Sequence, residues 1–150
     1  MEKRILLLAM WLLTVCMAFA ATPSLAGIYK FKDSYSGEDA KVKIYDNGKG
    51  GYDARIIWLA QPNNPDGSPR LDEKNPDPAL RTRKAYEIVV AKNLKYNEKK
   101  QRWETKELYH PSYGKYFSAY MEFESATRLK VRGYVGAPAL GQTEYWEKTE

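Results

Sequence analysis

His110, the only histidine in this 150-residue chain, is the first residue that could do chemistry. An imidazole can serve as a general base near neutral pH, but catalysis of that kind also needs a nucleophile and an orienting carboxylate. The sequence offers neither at a recognisable spacing. Since Pro111 follows directly in a turn-like stretch, we expect His110 to be a solvent-exposed turn residue. A hydrolase is therefore disfavoured, and we predict that this protein is not an enzyme.

Acidic side chains in a proline-rich stretch could bind Ca²⁺, which takes oxygen ligands. The carboxylates concerned are Asp66, Asp72, Glu73 and Asp77. Their spacing is not that of an EF-hand loop, and Asp beside Pro is an ordinary turn former, so we favour a structural loop braced by prolines. Pairing of Asp77 with Arg81 or Arg83 is a further alternative. One histidine, with the only cysteine in the apolar start described below, leaves too few ligands for zinc. We expect no metal and no cofactor.

Three basic residues occupy alternate positions of one short run: Arg128, Lys130 and Arg132. On a strand they would share one face, with Leu129 and Val131 on the other. Because the apolar pair suits a core, we expect the cations to face solvent. Facing inward, they would form a cationic lining for a carboxylate or phosphate, with Arg132 able to bind two oxygens. Gly133 keeps this alternative open, since glycine in a strand often marks a bend.

Short runs of alternating apolar and polar residues, without sustained helical periodicity, make up the chain after residue 26. They cover residues 28–32, 41–45, 52–58, 85–91, 101–108, 116–124, 128–134 and 143–148. Asn47-Gly48 gives the clearest hairpin signal. The pattern is typical of a sandwich or an up-and-down barrel. We favour a single antiparallel barrel of about eight strands, because closure removes exposed strand edges.

A long loop interrupts this pattern at residues 61–83, where five prolines alternate with Asn, Asp and Gly. Loops of this length inside a compact domain are more often functional than not. We therefore include it in the candidate site.

The first twenty residues have the anatomy of a secretory signal peptide that is removed before Ala21. A basic start at 2–4, an apolar run at 5–19 and a small-x-small site at 18–20 succeed one another. A transmembrane anchor would need ~20 apolar residues and a cationic flank, so we expect an exported protein, periplasmic or secreted, without an anchor. Cys16 allows an alternative, because the residues before it resemble a bacterial lipoprotein signal, although Val15 is bulkier than usual there.

The charge balance does not indicate nucleic-acid binding. The net charge is +5, and removal of Glu2, Lys3 and Arg4 with the signal lowers it to +4. The charges are interspersed, and no recognised binding motif is present. A modest positive charge fits weak attraction to anionic envelope components.

The most distinctive motif is the block from Thr127 to Gly136. It resembles the closing signature of a family of small exported bacterial proteins, domain-of-unknown-function family 2147. Residues 72–81 are similar to the long-loop motif of that family, and the resemblance covers about 27–148. Further matching positions are Trp103, Tyr109-x-Pro111, Gly114-Lys115, Pro138, Leu140-Gly141, Thr143 and Trp146.

This resemblance implies a lipocalin-like β-barrel and no particular activity, because the family is defined by sequence. The chain departs from the family pattern at two places. Thr105-Lys106 replaces a glycine pair, and Gln142 replaces an arginine. The second departure weakens any shared role for a cation at that position.

Our first hypothesis is a barrel that binds a small amphipathic or acidic ligand, or an envelope component, at its mouth. The candidate ligand-binding residues are Tyr52, Trp58, Met121, Arg132 and Tyr134, together with loop 61–83. An aromatic residue at the mouth could stack on a sugar or lipid. The alternative is a structural or interaction protein of the envelope, with a filled barrel and a protein partner.

Overall fold

A computed structural model describes residues 21–150, and these form one closed antiparallel barrel. The predicted signal peptide and Cys16 lie outside the described residues. Each strand pairs with its neighbour in sequence, and β1 closes the barrel by pairing with β8. The strands are β1 Gly27–Lys32, β2 Asp39–Asp46, β3 Tyr52–Leu59, β4 Val89–Asn97, β5 Arg102–His110, β6 Lys115–Phe123, β7 Arg128–Tyr134 and β8 Gln142–Lys148. The prediction of an up-and-down barrel is confirmed.

The tight turn between β2 and β3 forms where Asn47-Gly48 predicted it. Gly48 and Gly50 have φ of 70° and 78°, a conformation that glycine adopts without steric cost. The Asn47 side-chain oxygen accepts hydrogen bonds from the backbone N–H groups of Lys49 and Gly51. This turn therefore sets the register of the β2–β3 hairpin.

The long connection runs from Ala60 to Ile88 and is longer than the sequence predicted. The expected strand at 85–91 begins instead with a 3₁₀ turn at Ala85–Glu87, and β4 starts at Val89. The Ala85 N–H donates to the Arg70 carbonyl within the loop. Because the Ala85 N–H is used in this contact with the loop, Ala85 belongs to the connection and makes no β-sheet hydrogen bond through that group.

One end of the barrel is filled by large buried side chains. They include Tyr29, Ile44, Leu94, Trp103, Met121 and Leu129. Leu25, before the first strand, is also buried, and its carbonyl accepts a hydrogen bond of 2.8 Å from the Tyr29 hydroxyl. Burial raises the pKa of Tyr29 to about 12. This end of the barrel is closed by apolar packing.

A β-bulge in β3 changes the direction of the side chains that follow it. Lys41 pairs with Trp58 and Val42 with Ile56, so Ile57 is an extra residue. Ile56 and Leu59 are buried, whereas Ile57 and Trp58 both face outward. A bulge of this kind re-aims side chains, and alternation alone had placed Trp58 on the face of Ile56.

Candidate ligand-binding cavity

A cavity of about 670 Å³ occupies the other end of the barrel. It lies where the loops between β1 and β2, β3 and β4, β5 and β6, and β7 and β8 come together. Its inner wall is apolar, with Phe31 stacked on Trp146 at 4.9 Å between ring centroids. Other wall residues are Ala40, Ile56, Leu108, Phe117 and Val131. Pockets of ~300–1,000 Å³ with such walls hold small organic ligands.

Charged groups surround the mouth of this cavity. Arg70 in the long loop makes a salt bridge of 2.7 Å with Glu38. Glu144 on β8 accepts a 2.9 Å hydrogen bond from the Ser34 N–H through Oε1. Asp33 and Lys115 also line the cavity. Three carboxylates therefore face two permanent cations, and one of those cations is already paired.

His110 is not the exposed turn residue that the sequence predicted. It is the last residue of β5, and its imidazole is about three-quarters buried at the cavity mouth. Its ring lies 4.6 Å from that of Tyr113 and 6.0 Å from that of Tyr35. Nε2 is 3.7 Å from an Asp33 carboxylate oxygen. Strand β5 ends at His110, two residues beyond the predicted end at 108. This extension places the imidazole beside the rings of Tyr35 and Tyr113.

The long loop is anchored to the barrel by Asp72, which is fully buried. The Tyr109 hydroxyl donates to Oδ1 at 2.6 Å, while Asn75 and Arg83 donate to Oδ2 at 2.8 and 2.7 Å. Burial and the hydrogen bond to Asp72 raise the pKa of Tyr109. Buried charge is tolerated when it is paired and hydrogen-bonded in this way.

Three of the four acidic residues considered in the loop, Asp66, Asp72 and Asp77, accept hydrogen bonds within the protein, and Glu73 is exposed. Arg83 pairs with Asp72, however, and not with Asp77. Asp77 accepts the Ala79 N–H and caps the 3₁₀ turn Pro78–Leu80. Arg81 donates to the Asn75 carbonyl. Within residues 21–150, no group of three or more His, Cys, Asp and Glu side chains is arranged to hold a metal.

Of the five candidate site residues, only Tyr134 lines the cavity. Tyr52 begins β3 at the closed end, and Met121 is buried in the packed core there. Trp58 faces outward because of the bulge. The structure thus separates these candidates and brings only one of them to the cavity wall.

Arg132 lies outside the barrel because its neighbour Val131 occupies the inward position. Its guanidinium donates to the carbonyls of Pro138 and Ala139 and, at 2.7 Å, to the Thr143 hydroxyl. It therefore braces the loop between β7 and β8. The inward cationic lining that we considered from the sequence is not formed.

Sequence reasoning missed Glu144, although a signal for it was present. Glu144 alternates with Trp146 on β8 and so shares the inward face. A carboxylate on the core face of a strand is uncommon and indicates a polar site. The positions of Arg70 and His110 depended on the long loop and on the extent of β5, which local patterns do not specify.

The fold and cavity together define a small lipocalin-like β-barrel that is closed at one end and open at the other. The chain belongs to domain-of-unknown-function family 2147, described as an uncharacterized protein conserved in bacteria, whose profile matches residues 27–148. Among solved structures it is similar to one titled "Protein HP1028 from the human pathogen Helicobacter pylori belongs to the lipocalin family". That similarity has a TM-score of 0.70 at 23% identity, covering 86% of this chain and 85% of the other. A search of the curated proteins found no match. Within residues 21–150, no helix is long and apolar enough to cross a membrane.

Proposed function

We propose that this protein binds a small amphipathic molecule, with the apolar part inside the barrel and the polar part at the mouth. The observation that carries this proposal is the apolar cavity of about 670 Å³, which opens at the loop end. Packed side chains fill the opposite end. A hollow half-barrel supports ligand binding over the filled-barrel alternative. The lipocalin-like fold supports a binding protein over an enzyme.

The charges at the mouth favour a neutral or cationic head group. The acidic ligand expected from the sequence depended on an inward Arg132, and that guanidinium is bound to the outer loop. Glu144 uses Oε1 for the Ser34 N–H, which leaves Oε2 available to accept a hydrogen bond from a ligand. A donor or cation placed there would gain a charge-assisted hydrogen bond.

A head-group series tests this proposal. Dodecylamine, dodecanol and dodecanoate share one alkyl chain, so differences in their Kd report on the head group. We expect a complex of one molecule per chain by native mass spectrometry, with the amine bound about tenfold more tightly than the carboxylate, or ~1.4 kcal/mol. Glu144→Gln keeps an acceptor for the Ser34 N–H and should abolish this preference.

The proposal has two separate points of failure in this experiment. If none of the three compounds forms a one-to-one complex below its aggregation concentration, the cavity does not bind amphipathic molecules. If all three bind with equal Kd in the native protein and in Glu144→Gln, the cavity binds the alkyl chain and the head-group assignment is wrong. Gln142→Glu, which adds a carboxyl two residues away on the same strand face, is the matched control for charge near the mouth.

We also propose that the protein is exported. The arrangement of residues 1–20 supports this, as does the family's description as bacterial. N-terminal sequencing of protein recovered from the periplasm or medium should begin at Ala21. A chain that retains Met1 in the cytoplasm would contradict export, and a lipid on Cys16 would establish the lipoprotein alternative.

A further inference from the structure

A basic surface covers the outside of three neighbouring strands, β1, β2 and β3. Apart from Lys32 and Asp39, which pair with each other at 3.6 Å at the end of β1 and β2, it consists of four exposed cations and two exposed apolar residues: Lys30, Lys41, Lys43, Arg55, Ile57 and Trp58. We call this surface the basic face. It lies outside the cavity, and its function is independent of the ligand proposed above.

The cations of the basic face are arranged in like-charge pairs. Lys30 is directly opposite Lys41, and Lys43 is directly opposite Arg55. Like charges in this arrangement destabilise a sheet. Within residues 21–150 none of these four cations forms a salt bridge, and Glu147, across from Lys30, contacts Arg128 at 3.6 Å instead. An anion from another molecule would relieve this repulsion.

The bulge in β3 places two apolar side chains among these cations. Trp58 is 46% exposed and Ile57 is 38% exposed, whereas Trp103 and Trp146 are each 2% exposed. The Lys41 ammonium lies 5.8 Å from the centroid of the Trp58 ring. Tryptophan with flanking cations is the composition that proteins present to the headgroup level of a bilayer.

We propose that the basic face docks on a lipid bilayer that carries anionic headgroups. The cations would contact the headgroups while Trp58 and Ile57 enter the interface. A soluble polyanion would pair with the cations but leave the two apolar side chains in water, so the composition favours a membrane. Ala40 and Leu59, the sequence neighbours of Lys41 and Trp58, line the cavity. Docking therefore brings the cavity mouth close to the lipid surface.

Vesicle binding by residues 21–150 tests the proposal, because this segment contains all eight strands and the buried core. We expect sedimentation with vesicles of equal parts phosphatidylglycerol and phosphatidylcholine, loss of binding as salt rises, and no binding to phosphatidylcholine alone. Tryptophan emission should shift to shorter wavelength on binding, since Trp58 is the exposed indole of the described chain. Trp58→Ala should remove that shift.

Paired lysine variants locate the surface. Lys41→Gln with Lys43→Gln should weaken vesicle binding about 25-fold, or about fivefold for each cation removed. Lys99→Gln with Lys106→Gln makes the same change in net charge at exposed positions on the β4–β5 turn and β5, and should retain binding.

Three results would overturn the proposal. One is equal weakening by both pairs, which indicates net charge alone. Another is equal binding to vesicles with and without phosphatidylglycerol. The third is binding to heparin or RNA, but not to vesicles, that is lost in the Lys41→Gln, Lys43→Gln variant. That result would identify a soluble polyanion as the partner.

Discussion

Asp72 illustrates how one residue connects the loop to the barrel. Its carboxylate is fully buried and accepts hydrogen bonds from Tyr109 on β5 and from Asn75 and Arg83 in the loop. Tyr109 belongs to the barrel wall, and Arg70 of the same loop reaches the cavity mouth. The position of Arg70 at the mouth therefore depends on the Asp72 carboxylate, although Asp72 does not line the cavity.

Asp72→Asn should lower the free energy of unfolding by about 2–3 kcal/mol, because Arg83 is then left partly buried without its counter-ion. Chemical denaturation with urea measures this change. Glu73→Gln removes the neighbouring exposed carboxyl and should leave the midpoint nearly unchanged. An Asp72→Asn protein as stable as the Glu73→Gln protein would contradict the anchoring role.

At the scale of elements, the turn between β5 and β6 is fitted against the long loop. Gly114 has φ of 61°, and a Cβ there would lie 2.1 Å from the Lys74 carbonyl oxygen. The Lys74 ammonium also donates to the Ser112 carbonyl at 2.8 Å. This close approach of two backbones holds the loop beside the cavity.

Gly114→Ala should destabilise the protein by about 3 kcal/mol and make the loop sensitive to protease, since both conformational strain and a clash are introduced. Gly37→Ala has the same strain at φ of 70° but no atom within 4 Å of the added Cβ, and should cost only about 1 kcal/mol. Thermal unfolding and limited proteolysis measure the difference. Equal losses in the two variants would show that the loop contact contributes nothing.

The elements were predictable where the information is local. Asn47-Gly48 predicted its hairpin, and the alternating run at 116–124 predicted β6 to within one residue at each end. The outward direction of the Trp58 side chain was not predictable. Ile57, the extra residue of the bulge, reverses the alternation in β3, and no sequence motif marks this position. The pairing of Asp77 with Arg81 or Arg83 was wrong, because Arg83 pairs with Asp72 and Arg81 donates to the Asn75 carbonyl. The contacts of Arg132 were not predicted, because its acceptors lie on the β7–β8 loop and β8.

At the scale of the whole molecule, the barrel has two unlike ends. Large buried side chains and Leu25 close one end, while four loops surround an apolar cavity at the other. A basic face on β1 to β3 adjoins the open end. The molecule thus has a packed, closed half and a hollow, open half. Both the ligand proposal and the membrane proposal concern the open half.

The matched pair Ile56→Trp and Ile57→Trp tests the central claim most directly. The two residues are adjacent in β3, but Ile56 lines the cavity and Ile57 faces outward. In a titration with dodecylamine, Ile56→Trp should weaken binding at least about tenfold, or ~1.4 kcal/mol, because the indole occupies space that the alkyl chain needs. Ile57→Trp should bind as the native protein does. Equal Kd values for the two variants, with both folded by circular dichroism, would contradict binding inside the barrel.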